Sequence, residues 1–254
     1  MPFTFSHVAA VLPLLRGRPS RWSATGLIIG SIVPDFEKFL RLSAHNGHSH
    51  SWASLFYFSC PMAVGLAFLF HGVVRNPLLA HLPTGLHRRL ARFGRFQWPP
   101  YFRRHYGRVL ASVLLGASTH LVWDSFTHRT GELVALWPFL KTPWHVGTLW
   151  APVFVVANLL SSVAGLWLVL RALWRLPLAP SLPAGTPAPA PARTRYWRLV
   201  GVVALALVGA RLLVPGPLKD IDVIISALSG SMIGVGVASA YWSPGRTGRR
   251  MPGA

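Results

Sequence analysis

The chain has 254 residues, 52% hydrophobic and only 12% charged, about half the charged share of a soluble globular domain. With several long apolar runs, that excludes an ordinary soluble fold and predicts a multi-pass membrane protein. The net charge of +19 does not indicate a nucleic-acid binder, because the basic residues gather in the connections between apolar runs and no acid occurs between Glu37 and Asp124; that pattern fits loops beside anionic lipid.

Phe3 to Leu15 is apolar but too short to span at about 1.5 Å per residue. The basic residues of this N-terminus follow the apolar stretch, and no small-residue cleavage site is evident, so it does not read as a signal peptide. Arg16, Arg18 and Arg21 lead into Trp22 to Leu40, a second apolar segment that Pro34 should kink. The two segments are expected to form a helical hairpin. Arg41 to Ser54 is a polar connection containing His45, His48 and His50, and Leu55 to Val74 is a clear span. Its Cys60 is the single cysteine, which excludes an intramolecular disulfide and a thiolate zinc cluster.

Arg75 to Arg108 is a basic connection with eight arginines and three histidines, and Val109 to Trp123 is the next span. Ser125 to Thr148 is polar and aromatic, with Trp137, Trp144 and Trp150 suited to a membrane interface. Leu149 to Leu170 spans again. The Pro/Ala-rich stretch within 171–195 reads as a linker unable to form a core. Tyr196 to Val214 and Ile221 to Trp242 are the last two spans, joined by a tight turn, with Asp220 and Asp222 capping the second. Gly230, Gly234 and Gly236 predict close helix packing there. Residues 243–254 are expected to be disordered. The chain therefore divides into a membrane domain at 1–170, the linker at 171–195, a C-terminal helix pair at 196–242, and the tail. The fold class is all-α and polytopic, with about five full spans plus the N-terminal hairpin.

Placing the Arg75–Arg108 connection in the cytoplasm brings 19 of the 25 Lys and Arg residues to that side. The 171–198 connection and the C-terminus fall there too. His71, His81, His87 and His105 fall at that edge and read as interfacial. His7, Asp35, the His45–His50 cluster, His120, Asp124 and His128 converge on the opposite edge, with His145 in the same outer connection.

His120, Asp124 and His128 are spaced four and four, so they share one helix face. A carboxylate and imidazoles at the end of an apolar helix are costly without a partner. His120 and Asp124 read either as metal ligands or as a hydrogen-bonded pair. His128 reads as a site residue or a surface histidine. Asp35, just after Pro34, is a ligand or an N-cap. His48 or His50 ligates, or the loop is simply solvated. His7, alone on an apolar segment, reads as a core histidine. Glu37 is a general base or an ion-pair partner of Lys38 or Arg41. Imidazole and carboxylate without thiolate suit zinc, manganese, iron or nickel, and more than four such ligands can hold two ions.

The segments MPFTFSHVAAVLPL, LIIGSIVPDFEKFLRL and LLGASTHLVWDSFTHRTG resemble the domain-of-unknown-function 4184 family of bacterial integral membrane proteins, collinearly from Met1 to about Leu170. HVGTLW, at His145 to Trp150, is a weaker third element. More distantly, the early histidine, the Gly30-to-Asp35 segment, a His-Ser element at His48-Ser49 or His50-Ser51, and the Thr119-to-Asp124 helix are similar to inner-membrane proteins described as membrane-bound metal-dependent hydrolases. That resemblance implies metal-ligand roles for His7, Asp35, His48 or His50, His120 and Asp124. Threonine precedes His120 where those relatives have serine. The leading expectation is a metal-dependent hydrolase of the cytoplasmic membrane. It would use a divalent transition metal, zinc favoured, one ion or two. Its substrate would be a lipid-linked or amphiphilic ester or phosphoester at the extracytoplasmic face. The alternative is a non-catalytic membrane protein whose His/Asp cluster is a structural polar network or a metal- or proton-binding site.

Overall fold

A computed structural model of the chain describes residues 3–15, 21–45, 47–146, 148–179, 187–215 and 220–243. The expected 215–220 turn and the disordered tail lie mostly outside these residues, as do Arg16, Arg18 and part of the Pro/Ala linker. The elements are α1 (Thr4–Leu15), α2 (Ala24–Ile32), α3 (Phe36–Arg41), α4 (Leu55–His81), α5 (Thr84–Leu90), α6 (Trp98–Thr127), α7 (Glu132–Leu136), β1 (Pro143–Val146), β2 (Leu149–Pro152), α8 (Val153–Trp174), α9 (Ala190–Leu213) and α10 (Asp220–Tyr241). Among the described residues, five helical stretches are long and apolar enough to cross a membrane: α4, α6 continued through α7, α8, α9 and α10. The protein is an all-α polytopic membrane protein, and its short α1 and the kinked α2–α3 pair form the expected hairpin.

Three boundaries differ from the sequence reading. The Arg75–Arg108 connection is helical at both ends, because α4 runs on to His81 and α6 starts at Trp98, with a kink at His105. Arginine and lysine are good helix formers, so a basic stretch need not be a loop. Residues 149–152 open the expected span as a strand, and β1 and β2 pair antiparallel with His145 opposite Trp150. Helix α9 begins at Ala190, immediately after Pro189 and with Pro191 in its first turn, where proline is tolerated.

The chain forms two compact units. One comprises Met1–Phe36, Gly47–Gly65 and Arg104–Arg175; the other comprises Glu37–Asn46, Leu66–Arg103 and Leu176–Ala254. In the first, α2 starts at Ser23, whose hydroxyl accepts from the Gly26 N–H while its own N–H donates to Ser112 Oγ at 2.8 Å. The helix then lies directly on α6. A Cβ on Gly26 would stand 2.8 Å from the Val109 carbonyl oxygen, and one on Gly116 would stand 2.5 Å from that of Leu27. Only residues without side chains permit such backbone approach between membrane helices. Val8, Val11 and Leu27 form the adjoining apolar core, joined by Ile28 and Leu115. Helix α1 is held against α8 by the Ser6 hydroxyl, which donates to the Ser162 carbonyl at 2.7 Å, beside Gly165.

In the second unit α9 and α10 pack through Gly230 against Ala204 and Gly234 against Val200. A Cβ built on Gly236 would meet nothing within 4 Å among the described residues, so no close approach there requires glycine. Helix α3 ends with Leu42 in the left-handed region, φ 52°, and the Ser43 N–H donates back to the Lys38 carbonyl. Asp222 secures that turn. Its Oδ1 accepts from the Ala44 N–H at 2.8 Å, so this carboxylate holds a loop as well as standing in the first turn of α10.

Gly30→Ala drives a methyl group onto the Val113 backbone, and Gly116→Ala does the same against Leu27. Each should destabilise the detergent-solubilised protein by about 1–3 kcal/mol. Gly107→Ala, with open space around it, should stay within about 0.5 kcal/mol of the parent. Thermal unfolding of the three variants side by side checks the pattern.

Candidate metal centre

Four segments of the first unit bring polar side chains to one point. The proline at position 34 cannot continue the hydrogen-bonding of α2, and the chain tightens into a 3₁₀ turn over Val33–Asp35. That turn puts Asp35 fully inside the protein. From α1, the Thr4 hydroxyl donates to Asp35 Oδ2 at 2.6 Å, which leaves Oδ1 for the centre.

From α6, His120 and Asp124 project one turn apart. His120 Nδ1 donates to the Ser31 carbonyl at 2.8 Å. Ser31 lies in the last turn of α2, where carbonyls lack intrahelical donors. Since a carbonyl only accepts, a proton sits on Nδ1, which in the neutral ring leaves the lone pair on Nε2.

The fourth segment is the loop before α4. Ser54 Oγ accepts from the Ser51 N–H and donates to the Ser49 carbonyl at 2.7 Å, and the Tyr57 hydroxyl donates to the His48 carbonyl at 2.6 Å. These bonds set the loop so that His50 turns inward. Ser49 Oγ, 2.9 Å from His50 Nδ1, holds the ring with Nε2 directed at the carboxylates.

Asp35, His50, His120 and Asp124 each offer one ligand atom to a set lying within 4.8 Å of one another. His50 Nε2 is 3.3 Å from Asp35 Oδ1 and 3.4 Å from Asp124 Oδ2. His120 Nε2 is 3.6 Å and 3.4 Å from the same two oxygens. Charge-assisted hydrogen bonds are shorter, about 2.7–2.9 Å. Ligands about 2.0–2.1 Å from a tetrahedral ion, in contrast, lie about 3.3–3.4 Å from one another. Three of the four separations match tetrahedron edges, and the fourth, His120 to Asp35 at 3.6 Å, is slightly longer. The Nε2 atoms of His50 and His120 and both oxygens of Asp124 are buried without a hydrogen bond among the described residues, a costly state unless something charged sits between them. Two carboxylates beside neutral imidazoles carry a formal charge of about −2, which a divalent cation offsets.

Asp124 has a second side. Its Oδ1 is 3.5 Å from His7 Nε2 and 3.4 Å from His128 Nδ1. The His7 ring stacks on His120 with centroids 3.8 Å apart and stands edge-on to Trp123 at 5.7 Å. His128 Nδ1 also lies 3.1 Å from the Asp124 carbonyl oxygen, one turn back along α6. With a side chain 24% exposed, His128 is the most open of these groups.

The sequence reading named other residues that the structure does not bring into the four-atom set. His48 is exposed and His45 is exposed; of the crowded loop only His50 enters. Glu37 is buried in the second unit, where its Oε1 accepts from Arg41 Nε at 2.8 Å. His145 is exposed on β1. Conversely, Thr4 and the Ser31 carbonyl hold the ligands in place, yet no motif or spacing marks them.

The fold and this cluster define a polytopic helical membrane protein with a buried His/Asp group that could hold a metal ion. The chain belongs to the family described as Domain of unknown function (DUF4184), whose model matches residues 1–241. No curated protein and no solved structure matches it.

Thr4→Val removes a hydroxyl that donates to an oxygen of the fully buried Asp35 carboxylate and keeps the side-chain volume. The variant should lose about 1–3 kcal/mol, read as a lowered unfolding temperature in detergent.

Proposed function

We propose that this protein is a metal-dependent hydrolase of the bacterial cytoplasmic membrane. Its substrate is a lipid-linked or amphiphilic ester, a phosphoester by preference, met at the extracytoplasmic edge. The observation that carries the reading is the convergence of two imidazole nitrogens and two carboxylate oxygens, at 3.3–3.6 Å across the four nitrogen–oxygen pairs. Asp35, His50, His120 and Asp124 hold the ion, with zinc the best match to an N/O donor set of four. A divalent ion bound there supplies Lewis-acid polarisation of an ester or phosphoester oxygen and acidifies water.

The chain's own residues supply the rest. Thr4 and the Ser31 carbonyl orient Asp35 and His120, the kind of outer support that raises metal affinity. Asp124 directs one oxygen to the ion and the other to His7 and His128, so a second ion, where present, would share this carboxylate. His128, the most open group at the rim, is placed to exchange a proton with the leaving group or with solvent. The distant similarity to membrane-bound metal-dependent hydrolases in the His7, Gly30–Asp35, His50 and His120–Asp124 segments supports the same chemistry. The gathering of basic residues in the 75–108 and 171–198 connections supports a cytoplasmic position for those connections, with the cluster at the opposite edge.

One observation favours a second reading, a closed structural centre. All four donors come from the protein, as in structural zinc sites, whereas catalytic sites keep a position for water. The side chain of His50 is 17% exposed, the one opening in the set, and it favours the enzyme.

Elemental analysis of detergent-purified protein tests the metal directly. Wild type and His48→Ala should carry about one transition-metal ion per chain, and Asp124→Ala and His120→Ala should carry almost none. Absence of metal from wild type sinks the reading. Metal retained, with no cleavage of phosphatidic acid, lipid diphosphate or carboxylic ester in any assay, leaves the structural centre in its place.

A further inference from the structure

Around α6 from the His/Asp centre, past Trp123, lies an apolar groove of about 610 Å³. Its floor is Leu115, Val122 and Phe126 of α6, and its walls are Ala10 of α1 and Ala157 of α8. The residues Leu115, Thr119, Val122 and Phe126 follow helical spacing along a single stripe. The stripe lies about 150° around the helix from His120 and Asp124, with Trp123 on the arc between them.

Four hydroxyl residues line the groove, and three of them, all but Ser118, are held away from it. Thr119 Oγ1 donates to the Gly116 carbonyl, Thr127 Oγ1 to that of Trp123, and Ser161 Oγ to that of Asn158. Each is turned back onto its own helix, so the groove receives carbon. Its walls α6 and α8 are both membrane-crossing by length and hydropathy, so the phase outside it is hydrocarbon. Trp123 lines the groove and also contacts the His7 ring. It is the partition between groove and centre.

We propose that this groove seats an acyl chain of the glycerophospholipid whose head reaches the His/Asp centre. The inference rests on the hydrolase reading for the identity of the head, and on the groove alone for the chain. Small residues at Ala10, Ser118, Ala157 and Ser161 create the hollow, so they are where chain fit is decided. Seating the chain there fixes the head's approach past Trp123, and the substrate enters sideways from the bilayer.

The full-length protein in phosphatidylglycerol nanodiscs, with a diazirine-bearing acyl chain as probe, tests this without turnover. Photolabelling should concentrate on peptides of α6 and α8 that line the groove. In Ala157→Phe, which fills it, that labelling should fall about tenfold, the loss expected when roughly two methylenes are no longer buried. Leu205→Phe, on an exposed face of α9, should leave it unchanged. Ala10→Leu, a milder filling, serves if Ala157→Phe does not fold, with metal content and unfolding temperature as the check on integrity. Labelling spread evenly over the spanning helices, or untouched by groove filling in folded protein, overturns the proposal. Groove labelling in a protein with no metal and no hydrolysis supports the groove and removes only the hydrolase reading.

Discussion

Everything at the centre depends on how closely α2 approaches α6. Gly26, Gly30 and Gly116 let the two backbones touch, and that contact is what brings the Ser31 carbonyl within 2.8 Å of His120. A helix end with unsatisfied carbonyls is ordinarily a liability in a membrane. Here one such carbonyl fixes the tautomer and rotation of a ligand. The packing constraint and the chemistry are the same contact, and neither can be altered alone.

The second constraint is charge. Asp35 and Asp124 are held in a region of long apolar helices, where an ionised carboxylate is expensive. Asp35 is partly offset by Thr4. Asp124 faces four imidazoles. Such an arrangement carries more acceptors than protein donors and stores an attraction for a cation. The separations are too long for good hydrogen bonds and right for shared coordination.

Much of this was legible in the sequence, for physical reasons. Span count follows from hydropathy, since a helix must carry some twenty apolar residues to cross. His120 and Asp124 announced themselves because polar groups rarely stand at the end of such a run. Asp35 was flagged by Pro34. What escaped was information held in three dimensions. His48 and His50 differ by two residues in a loop, and only the serine hydrogen bonds decide which turns inward. Thr4 is one of many threonines until Asp35 lies over it. Glu37 reads equally as a general base or an ion-pair partner of Lys38 or Arg41, and the fold pairs it with Arg41 one turn along α3. The start of α6 is hidden in the sequence because a run of arginines breaks the apolar pattern, though arginine itself favours helix.

The ligand-bearing segments have a consequence for biogenesis. Asp35, His50, His120 and Asp124 all precede residue 128, so the complete donor set exists on the nascent chain before α8, α9 or α10 has been made. The clamp comes later: Asn158 of α8 donates to the Thr127 carbonyl at 3.1 Å, and Ser162 receives the N-terminal segment through Phe3 and Ser6. Synthesis therefore separates the gathering of the ligands from their locking. Because chains fold from the N-terminus as they emerge, the four residues that could hold an ion are made before the α8 contacts that pin α1.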